Sequence, residues 1–151
     1  MKVVLDTNVL FVSVSEYSPY YPIYRALKDK DYELVVTTDI MLEYDEVISN
    51  EMGTDVANDL LAFLTHASNV HKINKYYYWN LITSDPDDDK FVDAAVAGNA
   101  DYIVTNDRHF RVLKKICLPQ GYGNFCRRVF ESGAEGIAEH LILKASAASG
   151  H

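Results

Sequence analysis

Two short apolar runs in this chain end in an acid, and their recurrence restricts the fold more than any other feature. "KVVLDTNVL" begins at Lys2 and breaks at Asp6-Thr7-Asn8, while "DYIVTND" begins at Asp101 and breaks at Thr105-Asn106-Asp107. Short β-branched runs bounded by polar residues read as buried strands. Ligands of open parallel sheets bind beyond the carboxyl ends of the strands, so acids at two such ends can face one another. Asp6 has a second reading, as a residue whose side-chain oxygen caps a following helix. The sequence leaves both open.

The segments between these runs alternate in character. "PIYRALKDK" from Pro22 carries Ile23 and Leu27 at helical spacing, with proline tolerated in the first turn. "YELVVTT" is a second apolar run. "TDIMLEYDEVISNEM" predicts a helix opened by Thr38 and Asp39, with Ile40, Tyr44 and Val47 as its buried stripe. "TDVANDLLAFLTHA" predicts another, capped by Thr54, with Val56, Leu60, Phe63 and Leu64 facing the core. "NVHKI" reads as a third strand and "SDPDDD" as a turn. "DKFVDAAVAGNA" then reads as a helix that Gly98 stops in the left-handed conformation. Such alternation predicts an α/β fold with a mostly parallel sheet and right-handed crossovers.

At 151 residues the chain is expected to form one domain, burying roughly two thirds of its unfolded surface without disulfide or metal staples. The domain is expected over residues 1–143. Beyond Ile116 periodicity weakens, "GIAEHLILKA" is the one short helical pattern, and residues 144–151 read as a frayed tail. No apolar run approaches the ~18 residues of a membrane span, and the N-terminus enters a strand without a signal-like segment. The expectation is a cytoplasmic protein with no membrane partner. Cys117 and Cys126 lack the spacing of a zinc site and read as ordinary thiols. A net charge of −8 argues against a broad basic nucleic-acid surface, yet leaves room for an enzyme whose carboxylates hold divalent cations.

Four acids stand where the alternating fold can gather them: Asp6 and Asp107 after strands, Glu43 one turn into a helix, and Asp89 at the start of another. Each alone also fits a solvated face or a favourable charge near a helix N-terminus. Leu42 and Tyr44 flank Glu43, and Phe91 and Val92 follow Asp89, which sets both acids beside apolar faces. Asp93, four residues after Asp89, projects from the same side. Carboxylates converging at ~4 Å repel by about 1 kcal/mol per pair in water and about 4 kcal/mol at an effective dielectric near 20, so such a cluster needs cations. Oxygen ligands without a cysteine or histidine pattern select Mg2+ or Mn2+.

Asp6-Thr7-Asn8, Glu43 and "DPDDDKFVDAAVAGNADYIVTND", in that order, resemble a PIN-domain ribonuclease, and within that family the branch that supplies the toxins of toxin–antitoxin pairs. The match runs from Lys2 to about Leu113. The resemblance implies a three-layer α/β/α sandwich, divalent-metal-dependent cleavage of single-stranded RNA, an antitoxin partner and a homodimer. It maps the metal-holding, catalytic acids to Asp6, Glu43, Asp89 and Asp107, with Asn8 and Thr105 as supporting polar groups and Asp93 as a further ligand or water-positioning acid. Residues 116–143 depart from the pattern, for the closing strand and acidic–aromatic helix of the family are not recognisable in "CLPQGYGNFCRRVFESGAEG". Loss of those elements would leave a catalytically impaired RNA- or protein-binding module.

Other features carry two readings each. In "RHFRVLKK", Arg108 and Arg111 are placed to contact RNA phosphates, or form a solvated helix face with Lys114 and Lys115. Tyr17, Tyr20, Tyr21 and "YYYW" from Tyr76 offer stacking platforms for unpaired bases, or core packing. None of the five histidines pairs with a nucleophile motif. A haloacid-dehalogenase-like phosphatase would want an aspartate at position 8, where Asn8 stands, and a receiver domain would want paired acids that are absent.

Overall fold

The computed structural model describes residues 1–74 and 89–105. In chain order these form β1 (Lys2–Leu5), α1 (Thr7–Val14), α2 (Tyr21–Lys28), β2 (Glu33–Val36), α3 (Thr38–Met52), α4 (Thr54–His66), β3 (Val70–Lys72), α5 (Asp89–Ala97) and β4 (Tyr102–Val104). Asp107, Arg108, Arg111, the "YYYW" run, both cysteines, the divergent stretch and the tail lie outside the described residues.

The four strands make one sheet in the order β3-β2-β1-β4, with every described pairing parallel. Val3, Val4 and Leu5 in β1 and Leu34, Val35 and Val36 in β2 are all buried. Alternate strand residues point to opposite faces, so burial of consecutive residues means that both faces are covered, as parallel sheets require. The result is the expected sandwich of helices around a parallel sheet. α5 packs on β1, β2 and β4, while α1 packs against α2 and α3, and α3 against α4.

Strand order sets the site. The chain moves from β1 to β2 to β3 on one side and then returns to place β4 on the other side of β1. The crevice beyond the carboxyl ends of β1 and β4 is therefore a topological switch point. Register fixes what meets there: Leu5 pairs with Val104, so the next residues, Asp6 and Thr105, emerge side by side.

Local details correct several expectations. α1 is a helix although its stretch carries no clear amphipathic pattern; Val9, Leu10 and Ser13 on it are buried. The N-cap position of α3 is Thr37 rather than Thr38, and the Thr37 hydroxyl donates to the Asp39 carboxylate instead of capping the helix N–H groups itself. Its third buried contact is Ile48, not Val47, because positions 40, 44 and 48 follow the four-residue ridge of a helix lying on the core. On α4, Ala57 joins Leu60 and Leu64 in the buried row, while Val56 and Phe63 only edge the core. Gly53, not Thr54, caps α4, and its φ of 96° lets α3 turn directly into α4.

The end of α5 is also closed differently. Asn99, with φ 51°, takes the left-handed position, its N–H donating to the Val96 carbonyl and that of Ala100 to the Ala95 carbonyl. These two bonds form a Schellman motif. Gly98 serves the sheet instead. A Cβ there would stand 2.5 Å from Val35 Cγ1 and 3.1 Å from Ile73 Cδ1, so glycine allows α5 to approach β2.

Candidate functional site

Asp6 takes the capping position that its residue type allows and at the same time meets the end of β4. As N-cap of α1, its Oδ1 accepts from the Asn8 N–H at 3.4 Å, and its Oδ2 accepts from the Thr105 hydroxyl at 2.8 Å. Its own N–H donates to the Val104 carbonyl, continuing the β1–β4 ladder by one residue. The residue is 9% exposed. A buried carboxylate costs several kcal/mol unless its charge is met by hydrogen bonds or cations, and these two donors meet part of that cost. The Asn8 side chain itself is exposed, so the support that Asn8 gives Asp6 comes from its backbone.

Tyr44 ties α3 to the same corner. Its hydroxyl donates to the Leu5 carbonyl at 2.5 Å. Burial foremost, then the charge of Asp6, pushes that hydroxyl well above its usual range, so it remains a donor. One residue earlier, Glu43 lies beside α5, where Lys90 Nζ meets its Oε2 at 2.8 Å. Leu42, expected to help bury Glu43, is exposed, because it lies on the opposite side of the helix from Tyr44 and Ile48.

α5 delivers the remaining described acids. Asp89 and Asp93 are 7% and 2% exposed, and Phe91 and Val92 between them are buried as the sequence predicts. The structure thus brings Asp6 against Thr105 and Glu43 against the first turn of α5, where Asp89 stands. Asp107 lies outside the described residues. Sequence reasoning missed Lys90, and the signal was present: a lone cation inside "DPDDDKF" is placed to neutralise an acid. It also missed Tyr44 as the brace of the β1 end, since a tyrosine on an apolar stripe reads as plain core.

A divalent cation is implied by the acid pattern, and the residues suit one in kind. The donors are all oxygens, which is the chemistry of hard cations. The Thr7 hydroxyl, buried next to Asp6, has no hydrogen-bond partner among the described residues, which leaves an oxygen there for a further polar group. Among the described residues no three histidine, cysteine or carboxylate side chains group as a metal-holding set.

A family model of the PIN domain matches residues 2–109. The chain belongs to the PIN-domain family. Among solved structures it is similar to a chain in the crystal structure of VapBC2 from Rickettsia felis bound to a DNA fragment from their promoter. That likeness has a TM-score of 0.53 and 20% identity and covers 74% of this chain and 92% of the other. At such identity it is a likeness of fold. No curated relative matches the chain. Among the described residues no helix is long and apolar enough to cross a membrane.

Proposed function

We propose that this protein is a divalent-metal-dependent endoribonuclease that cleaves single-stranded RNA, and that it is the toxin of a toxin–antitoxin pair. The observation that carries the reading is the Asp6 carboxylate, buried at the β1/β4 switch point and oriented by the Thr105 hydroxyl and the Asn8 N–H. Asp6, Glu43, Asp89 and Asp107 would hold Mg2+ or Mn2+. When bound, such an ion lowers the pKa of a water and stabilises charge on the leaving oxygen of a phosphodiester.

The chain's own residues do the positioning. Thr105 and the Asn8 backbone fix the direction of Asp6, Tyr44 holds the end of β1 on α3, and Asp93, one turn into α5 from Asp89, orients a water or a ligand from behind. Arg108 and Arg111 contact the phosphates of the strand. An antitoxin covers the cleft and a second copy of the chain completes a homodimer; the VapBC2 neighbour, itself a complex, is in keeping with a partnered assembly.

The second reading is a PIN-like module that binds RNA or protein without cleaving it. The pairing of Glu43 with Lys90 favours it, since one of the four acids already has a cationic partner. Incubating the protein with a panel of single-stranded and structured RNAs, with and without Mg2+ or Mn2+, decides between them. Cleavage of unpaired segments that EDTA abolishes supports the nuclease. Retention of RNA in a mobility-shift assay with no cleavage under any metal supports the module.

A further inference from the structure

We propose that Lys90 is a positioning residue that decides which divalent cation Glu43 accepts, by withholding one of its two carboxylate oxygens. This rests on Glu43 being a metal ligand, as proposed above. Lys90 Nζ stands 2.8 Å from Glu43 Oε2 as an ion pair, at an angle that leaves that oxygen without a hydrogen bond among the described residues. That oxygen is buried, so the ammonium is placed against an atom that water does not reach. The lysine is itself held: its side chain is 17% exposed, against 31% for Glu43, and its ammonium lies 5.5 Å from the centroid of the Phe91 ring. Phe91 is buried in the core, so the lysine has a fixed wall and little freedom to swing away.

A glutamate whose Oε2 is buried against an ammonium presents Oε1 to a metal, because a cation that also took Oε2 would have to crowd or displace the lysine. Ca2+ takes six to eight oxygens and commonly uses both oxygens of a carboxylate, whereas Mg2+ demands a compact octahedron and keeps several of its waters. One-oxygen ligation by Glu43 therefore suits Mg2+ or Mn2+ and penalises Ca2+. A bidentate Ca2+ would also sit beside the ammonium, with like charges close together in a partly buried place. An ion pair that merely braced α3 against α5 would affect stability and would treat the two ions alike.

The test is calorimetric titration of Ca2+ and of Mn2+ into the full chain as wild type, Lys90→Met, Lys90→Gln and Glu43→Gln, with thermal unfolding of each. Methionine keeps the apolar stem against Phe91, and glutamine keeps a neutral donor. Wild type is expected to prefer Mn2+, and both lysine variants are expected to lose that preference by about 10-fold or more, the scale of outer-shell effects on metal sites. A Ca2+/Mn2+ ratio unchanged within about 2-fold in folded Lys90→Met and Lys90→Gln overturns the inference, as does an equal fall in both affinities. Wild-type binding that survives in Glu43→Gln also overturns it, and leaves the nuclease reading standing on the other acids. Wild type that binds neither ion removes both.

Discussion

The Thr105 hydroxyl donates to Asp6 Oδ2 at 2.8 Å, joining residues 99 positions apart at the ends of two adjacent parallel strands. Parallel register places them there, and the hydrogen bond converts two strand ends into one corner. Both residues are buried, so the bond is made out of water and to a charged acceptor.

Thr105→Val keeps the shape of the side chain and removes the donor. Loss of a hydrogen bond to a buried charge is expected to cost about 1.5–3 kcal/mol, measured by urea unfolding, while Thr105→Ser retains most of the stability. A valine variant as stable as wild type would mean that Asp6 does not depend on Thr105.

Gly98→Ala is expected to destabilise by about 1–3 kcal/mol, the usual cost of overpacking a core, because the new methyl meets Val35 Cγ1 at 2.5 Å. The cost shrinks in a Val35→Ala background, and a double-mutant cycle reads the coupling. Had Gly98 been the left-handed residue, the penalty would reside in its backbone and would not respond to position 35.

Glu33 and His71 pair at 2.8 Å across β2 and β3. The hydrogen bond from His71 foremost, then its charge and that of Lys2, hold the Glu33 carboxyl below its usual value. A carboxyl whose folded pKa is depressed adds stability that is complete above the unfolded value, about 4.3, and is lost as pH falls through the lower folded value. Glu33→Gln should therefore flatten the acid limb of the stability curve, followed by unfolding from pH 6 to pH 3. The pair is solvent-exposed and screened, so the flattening is slight; an acid limb identical to wild type would mean that the pair adds nothing to stability.

Much of this architecture is legible in the chain because burial on both faces of a parallel sheet leaves apolar β-branched runs that stand out, as in "KVVL" and "ELVV". Asp6, directly after "KVVL", stands at the end of β1 where Thr105 meets it. What escaped reading depends on contacts between distant segments. Gly98 is glycine because Val35 lies over it, and nothing near Gly98 in sequence says so. Ile48 replaces Val47 because the tilt of α3 on the core, not composition, chooses between neighbours. Lys90 finds Glu43 across two helices, a pairing that only the packing of α3 on α5 creates.

The central claim is that the acids hold a divalent cation and cleave RNA with it, and Mn2+ calorimetry run in parallel with RNA cleavage tests it most directly. Asp6→Asn retains a capping side chain at the start of α1, so it should fold, and it should lose turnover. Asp89→Asn and Asp107→Asn should each lose both metal binding and cleavage, whereas Asp93→Asn should weaken them by about 10- to 100-fold, as outer partners of metal ligands do. The account predicts millimolar or tighter Mn2+ binding in wild type that disappears together with cleavage in Asp89→Asn and Asp107→Asn. Wild-type protein that binds no Mn2+, or folded Asp6→Asn that cleaves at the wild-type rate, would contradict it.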